Sequence, residues 1–207
     1  DGEVAGNDVS APATFAFVDK DAGTGKTVTV SGGALSGTDA GNYTLDLPTS
    51  VLGDILQEAI TGTVTASNKT YDGNTDASGT VALDGVVAGD DVAGSATFTF
   101  VDKNAGTGKT VTVSGAPLTG VDAGNYTVTL PATVLADILQ KAITGTATAS
   151  NKTYDGTTDA SGTVALDGVV TGDDVSGPAT FTFIEKNAGT GKSVTVSGAT
   201  LSGADAG

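Results

Sequence analysis

Residues 96–114 read Ala-Thr-Phe-Thr-Phe-Val-Asp-Lys-Asn-Ala-Gly-Thr-Gly-Lys-Thr-Val-Thr-Val-Ser, and this stretch decides the fold class. At each end of this stretch, threonine or serine alternates with an apolar residue. In an extended strand Phe98 and Phe100 would therefore point to one side and the threonines to the other. Alternation with a period of two is typical of a half-buried β-strand. The segment from Asp102 to Gly108 is rich in turn residues, so the stretch predicts a β-hairpin.

The hairpin belongs to a repeat with a constant period. Lys26, Lys109 and Lys192 each end a Gly-Thr-Gly-Lys sequence, and their positions differ by a constant 83. Segments 59–124 and 142–207 differ at only 11 of 66 positions, without insertion or deletion. Internal repetition of this kind indicates a chain of successive, similar domains.

The period predicts three segments, because a stretch of this length is enough for one small domain. The boundaries fall where a short link leads into Ala-Ile-Thr-Gly. They give a partial repeat at 1–58, a complete repeat at 59–141 and a partial repeat at 142–207. Neither partial repeat is expected to close a domain alone. We therefore interpret the chain as a window of a longer array, or as a chain whose ends are completed by strand addition from neighbouring molecules.

Short alternating runs separated by turn residues predict an all-β fold for the complete repeat. The predicted strands lie near 60–66, 69–72, 79–84, 95–102, 109–115, 125–130 and 133–139. Such a series is typical of an antiparallel β-sandwich of immunoglobulin-like architecture, here repeated in tandem with the period of 83. The predicted core consists of Ile60, Val64, Tyr71, Val81, Leu83, Val86, Val92, Phe98, Phe100, Val111, Val113, Leu118, Tyr126, Val128 and Leu130.

The composition argues against several kinds of site. The 9 basic residues are all lysine, the formal net charge is −15, and histidine, cysteine, methionine and tryptophan are absent. Without cysteine there is no disulfide framework and no thiol nucleophile, and without histidine the commonest general base and metal ligand is missing. An acidic chain without arginine is not expected to bind nucleic acid. No apolar run of about 18 residues predicts a membrane span in this segment.

Four aspartates are candidate calcium ligands, because calcium prefers carboxylate and carbonyl oxygens. They are Asp84, Asp90, Asp91 and Asp122, and a position between domains is the most plausible one for the ion. The chain lacks the 12-residue calcium-loop pattern, and solvated turn residues explain the same aspartates equally well. No other cofactor is indicated, and no pair of carboxylates identifies an enzyme active site.

Two lysines are candidates for a covalent crosslink. Lys69 or Lys109 could form an intramolecular isopeptide bond with Asn125 beside an acid. The alternative is that these lysines lie on the surface with their charged ends in water.

The sequence Ala-Gly-Thr-Gly-Lys-Thr at 105–110 has part of a phosphate-binding loop. The full pattern needs a further glycine at position 103, which is Lys103 here. The following residues alternate as a strand and do not open a helix, so the hairpin is the better interpretation.

The most distinctive string is Asn-Lys-Thr-Tyr-Asp-Gly, which occurs at 68–73 and again at 151–156. Its structural interpretation is that Tyr71 anchors a strand end with its hydroxyl near the surface, Asp72 caps a turn, and Gly73 adopts a conformation that a Cβ would strain. In the second copy we expect Tyr154, Asp155 and Gly156 to have the same roles. A shallow ligand contact is the functional alternative.

Three runs together resemble a known family. They are Lys-Thr-Tyr-Asp-Gly-Asn-Thr at 69–75, Val-Thr-Val-Ser-Gly at 111–115, and Asp-Ala-Gly-Asn-Tyr-Thr at 122–127, which contains Asn125 and Tyr126. This combination resembles the YDG repeats, which are related to the MBG ("mostly bacterial immunoglobulin-like") repeats, and the resemblance covers all three copies.

The resemblance implies a role in long stalks of large secreted or surface-attached bacterial proteins, often similar to filamentous haemagglutinins. The expected function is therefore a non-catalytic structural segment in adhesion, biofilm or fibre formation, outside the cell, with neighbouring repeats of the same chain as partners. Two alternatives remain open. One is a self-polymerising filament subunit in which incomplete repeats of several copies exchange strands, and the other is a module that binds a glycan or a host protein.

Overall fold

The computed structural model describes residues 6–207, and these residues form strands, turns and two short 3-10 helices. The strands are β1 (Ala13–Phe17), β2 (Gly23–Gly32), β3 (Ser50–Ile55), β4 (Glu58–Ala66), β5 (Lys69–Thr70), β6 (Asp76–Ala77), β7 (Gly79–Asp84), β8 (Ala93–Gly94), β9 (Thr97–Phe100), β10 (Gly106–Ser114), β11 (Leu118–Thr119), β12 (Tyr126–Thr129), β13 (Thr133–Leu139), β14 (Thr144–Ala149), β15 (Asp159–Ala160), β16 (Gly162–Asp167), β17 (Thr180–Phe183) and β18 (Val194–Ser197). The 3-10 helices are Ala40–Asn42 and Ala123–Asn125. None of the described residues belongs to a helix long and apolar enough to cross a membrane.

The all-β prediction is confirmed, and each predicted strand of the complete repeat overlaps an observed one. Sequence analysis missed three strands, β6, β8 and β11, which have two residues each. Two residues are too few to show an alternating pattern, so only the pairing partner reveals them.

The contacts divide the chain into two compact units, and both units include part of the complete repeat. The described part of the first unit is 6–64, 80–96 and 114–132. It contains the antiparallel sheet β1-β2-β3, the sheet β12-β4-β7 and the pair β11-β8.

The second unit is Thr65–Gly79, Thr97–Val113 and Thr133–Gly207. It contains the five-stranded sheet β5-β13-β10-β9-β6, the pair β14-β16 and the sheet β15-β17-β18. The sheets β1-β2-β3 and β15-β17-β18 are the counterparts, one period away, of β9-β10-β13 and β6-β9-β10. The partial repeats therefore fold by the same local rules as the complete one.

Two strand pairs depart from the predicted antiparallel arrangement. β12 runs parallel to β4, with Tyr126 opposite Glu58, and β13 runs parallel to β5, with Ile138 opposite Lys69. Parallel neighbours require a long connection, and here the rest of the repeat supplies it. The sheets of the chain are therefore mixed.

The Gly-Thr-Gly-Lys sequence forms a bulge within a strand. The register of β10 against β13 shifts between Gly106 and Lys109, and Gly108 has a φ of 59°. The Gly108 N–H donates to the Asp137 carboxylate at 2.7 Å. A glycine with positive φ is typical of one common bulge type. The turn predicted from Asp102 to Gly108 is consequently shorter, because β10 already begins at Gly106.

Each unit has a small set of buried hydrophobic residues. Among the described residues they are Val28, Ile60, Val64 and Tyr126 in the first unit, and Phe98, Phe100, Val111, Ala136, Ile138 and Phe181 in the second. The other predicted core residues, such as Tyr71 and Val81, are half-buried. Ala136 and Ile138 were not predicted, because the run around them was interpreted as a strand that leads into the link. Ile138 is only 1% exposed, so β13 belongs to the core of its sheet.

Phe98 and Phe15 occupy the same position in successive repeats and differ in burial. Phe98 is 6% exposed, whereas Phe15 is 64% exposed. Gly79 lies so close to Phe98 that a Cβ there would be 2.7 Å from the ring.

We expect Phe98→Ala to destabilise the chain by about 3–5 kcal/mol, since it leaves a cavity in a packed core. Phe15→Ala is the matched control and should cost under about 1 kcal/mol, because its ring is largely in water already. Urea unfolding followed by circular dichroism measures both changes. Equal losses in the two variants would contradict the burial difference.

Candidate functional site: the joints between repeats

The loop before the second 3-10 helix lies against the Asp90-Asp91 segment. Gly120 has a φ of 111°, and a Cβ at this position would lie 2.1 Å from the Asp91 carbonyl oxygen, so only glycine fits. The Asp122 carboxylate accepts the Asp91 N–H at 2.9 Å, and the Asp122 N–H donates back to the Asp91 carbonyl at 3.2 Å. These bonds fix the Asp122 side chain beside Asp90.

Tyr126 holds the Asp90 carboxylate from the other side. Its buried hydroxyl donates to Asp90 at 2.7 Å and accepts the Val87 N–H at 3.1 Å. The hydrogen bond to Asp90 is the main reason why the pKa of Tyr126 is raised. Asp90, Asp122, Asn125 and Tyr126 together form what we call the acceptor face of the complete repeat.

At the first joint, residues of the preceding repeat bind this acceptor face. The Lys20 ammonium lies 2.8 Å from Asp90 and 2.6 Å from Asp122. The Ala22 N–H donates to the Asn125 side-chain oxygen at 2.7 Å. One lysine of the preceding repeat therefore bridges two carboxylates of the next.

The bridge lowers the pKa of both carboxylates. For Asp90 and Asp122 the hydrogen bond from Lys20 is the largest cause, and for Asp90 the neighbouring charge of Asp122 acts in the opposite direction. A carboxyl group whose pKa falls on folding contributes stability above its ordinary pKa, and it loses that contribution as the pH drops through the folded value. The joint is therefore expected to weaken in acid, below about pH 4.

The second joint repeats the bridge and adds a tyrosine. The Lys103 ammonium lies 3.1 Å from Asp173 and 3.2 Å from Asp205. The Tyr71 hydroxyl donates to the other oxygen of Asp173 at 2.8 Å, and the Lys103 ammonium lies 5.8 Å from the centre of the Tyr71 ring. The Asp173 side chain is only 6% exposed, and Lys103 and Tyr71 are the donors to its carboxylate.

Gly73 has a second structural role at this joint. Its φ is 83°, and a Cβ there would lie 2.8 Å from a methyl group of Val170 in the next repeat. Both the backbone conformation and the close approach favour glycine. Tyr71 and Gly73 of the Tyr-Asp-Gly motif thus both contact the following repeat.

Lys69 organises the loop that carries this motif. Its ammonium lies 2.7 Å from the Asp72 carboxylate, 2.9 Å from both the carbonyl and the side-chain oxygen of Asn74, and 3.0 Å from the Asp76 carbonyl. It also lies 5.8 Å from the centre of the Phe100 ring. Asp72 accepts the Asn74 N–H at 3.2 Å and caps the turn.

The third repeat builds the same loop around Lys152. Its ammonium contacts the Asp155 carboxylate at 2.9 Å, two oxygens of Thr157 at 3.0 and 3.1 Å, and the Asp159 carbonyl at 2.7 Å. Gly156 has the same φ of 83° as Gly73. Tyr154, in contrast to Tyr71, is 60% exposed.

The structure places the four calcium candidates in different surroundings. Asp84 is exposed at the end of β7, and Asp91 contributes backbone groups to the acceptor face. Asp90 and Asp122 have the Lys20 ammonium as their cation. Among residues 6–207 no group of three or more acidic side chains is arranged to hold a metal ion.

The three residues of the isopeptide hypothesis have noncovalent partners. Lys69 is bound by its own loop, and Lys109 pairs with Asp102 at 2.5 Å. The Asn125 side chain accepts the Ala22 N–H and contacts Asp21 at 3.4 Å.

Sequence analysis did not identify Lys20 and Lys103 as joint residues. The sequence singled out Lys103 only because it occupies the position at which a phosphate-binding loop needs glycine. A usable signal was present: Lys20, Lys103 and Lys186 recur with the period of the repeat, and so do Asp39, Asp122 and Asp205. What the spacing does not reveal is that the lysine of one repeat meets the aspartates of the next.

We expect Lys103→Met to weaken the second joint, because it leaves Asp173 without its cation. The loss should be modest, since Lys103 is partly exposed and solvent screens the pair. Lys186→Met is the matched control, because this exposed counterpart has no ion-pair partner within residues 6–207. Thermal unfolding should separate the two variants at low salt, and equal midpoints would contradict the role of Lys103.

We expect the Asp155 carboxyl group to titrate well below ordinary aspartates. Its pKa is lowered to about 2, chiefly by Lys152 and then by the Thr157 N–H and hydroxyl. Carbon-detected nuclear magnetic resonance of the side chain measures the midpoint. In Lys152→Met the midpoint should move up towards 3.8, the ordinary value. An unchanged midpoint would show that the lysine does not hold the loop.

Comparison with known families supports one assignment. The model of the YDG domain matches three segments, 1–51, 57–134 and 140–207, which together include nearly the whole chain. Neither the curated proteins nor the solved structures contain a significant match. The chain belongs to the YDG domain family and consists of tandem YDG repeats.

Proposed function

We propose that this chain is a non-catalytic structural segment of a secreted or surface-attached bacterial protein, in which successive YDG repeats form a stalk or fibre. The observation that carries the proposal is the recurrence of one joint. Lys20 binds Asp90 and Asp122, and Lys103 binds Asp173 and Asp205, with identical spacing along the chain. A contact that recurs between neighbouring repeats is expected in a protein that forms a continuous array.

The remaining surface supports the same interpretation. The formal net charge of −15 keeps a long repetitive molecule soluble and opposes lateral association. The absence of cysteine and methionine removes the side chains that oxidise most readily outside the cell. An adhesive or biofilm role would then belong to the larger protein that contains the array.

Two cavities lie beside the joints. One of about 260 Å³ is lined by residues that include Lys20, Asp90 and Tyr126, and one of about 310 Å³ is lined by residues that include Tyr71 and Asp173. Their walls are the groups that connect the repeats, so they support a structural role for these surfaces and give no specific support to the glycan-binding alternative.

We expect one additional copy of residues 59–141, inserted after Lys141, to add one mechanical unfolding event. Each complete repeat should lengthen the chain by up to about 300 Å on unfolding, since an extended residue spans about 3.6 Å. Single-molecule stretching of the original and lengthened chains measures this.

The control inserts residues 59–124 only, so that the added repeat lacks β12 and β13 and the periodic spacing of lysine and aspartate is lost. This chain should show no additional regular event. Extension at low force without discrete events in all three chains would contradict a structural function. Fibres that form with rising concentration would favour the filament alternative.

A further inference from the structure

The third repeat presents a second copy of the surface that forms the second joint. Tyr154 and Lys186 lie one period after Tyr71 and Lys103. Tyr154 is 60% exposed, and Lys186 is exposed as well. We infer that Tyr154 and Lys186 form a docking surface for the acceptor face of a further YDG repeat that carries the aspartate pair. This inference rests on the proposed function and names the partner of the joint.

The occupied form of this surface is visible one repeat earlier. There the Tyr71 hydroxyl and the Lys103 ammonium share the Asp173 carboxylate, and Lys103 also reaches Asp205. The Asp205 carboxylate is itself fixed, because it accepts the Asp174 N–H at 3.0 Å. Two donors on one repeat and two anchored carboxylates on the next are thus complementary in charge and in hydrogen-bonding capacity.

The loops of the exposed surface keep part of the local contacts that they have in the occupied form. Residues 151–156 are identical to 68–73, and both loops are held by a lysine bound to four oxygens. Residues 186–191 are identical to 103–108, and this loop is held at its base by the Lys192–Glu185 pair. The lysine contacts lower the ordering that docking requires, and the pairing that β5 makes with β13 in the complete repeat has still to form.

The charge of the acceptor face decides which partner fits. The faces at Asp90 and Asp173 are already bound by Lys20 and Lys103 of the same chain. The corresponding position of the first repeat is Asn7, whose amide donates to the Tyr43 hydroxyl. A neutral amide can accept a hydrogen bond from an ammonium group, but it carries no charge, so it binds the ammonium more weakly than a carboxylate does. The first repeat of a second copy is therefore a poor partner, and we assign the surface to a repeat with two aspartates, joined in the same polypeptide.

The test compares the 207-residue chain with a lengthened chain in which a second copy of residues 125–207 follows Gly207. The added copy completes the third repeat and supplies a new acceptor face with its own copies of Asp173 and Asp205. Tyr71→Phe and Tyr154→Phe are made in both chains, and thermal unfolding is measured at low salt. Phenylalanine keeps the ring and removes only the hydroxyl, so both variants should fold.

Tyr71→Phe should lower the unfolding midpoint by about 2–6 °C in both chains, because it removes a hydrogen bond to a charged, largely buried acceptor. Tyr154→Phe should have no effect in the original chain and an effect like that of Tyr71→Phe in the lengthened chain. If Tyr154→Phe has no effect in the lengthened chain while Tyr71→Phe does, the docking surface is refuted and the proposed function stands. If Tyr71→Phe has no effect in either chain, the joint itself is refuted.

Sedimentation of the original chain tests whether the partner repeat belongs to the same polypeptide or to a second copy. It should remain monomeric at all concentrations, in agreement with the poor match at Asn7. Association that Tyr154→Phe abolishes would overturn the assignment to the same polypeptide and would favour a second copy.

Discussion

The array depends on a pair of carboxylates that binds a lysine of the preceding repeat. Asp173 is largely buried, and its closest donors, Lys103 and Tyr71, come from the preceding repeat. Two neighbouring carboxylates repel each other, and a buried carboxylate without a partner is costly. The lysine of the preceding repeat removes both problems at once. The preceding repeat therefore supplies the positive charge that balances this pair of carboxylates.

The two sequence signatures of this chain are the two sides of that contact. The Tyr-Asp-Gly motif places Tyr71 and Gly73 against the following repeat. The Asp-Ala-Gly-Asn-Tyr motif supplies Asp122 and Asn125 to the preceding one, while its Tyr126 holds Asp90 of the same repeat. Each motif thus has a local role in a turn or short helix and a second role in the contact between repeats. This double use explains why unusual residues such as glycine with positive φ recur at fixed positions.

The sequence predicted the strands and the period, because alternation and spacing are local properties that a single segment displays. It also identified Tyr71 and Gly73 as special, since tyrosine at a strand end and glycine in a turn have local explanations. It did not predict that Tyr71 reaches Asp173, far along the chain in the next repeat, or that β12 and β13 have parallel neighbours. These features depend on which distant chain segments come into contact, and a local sequence pattern does not show this.

The differences between copies show which chemistry the joint tolerates. Asn74 is replaced by Thr157, yet the new hydroxyl contacts Lys152 at 3.0 Å, so the lysine keeps its oxygen partner. Asp102 is replaced by Glu185, and the pair with Lys192 persists. The one change that removes a charge at the acceptor face is Asn7, and there the amide turns to its own repeat's tyrosine. The exchanges at Thr157 and Glu185 keep an oxygen or a charge for the lysine, whereas the loss of charge at Asn7 weakens what that face can bind.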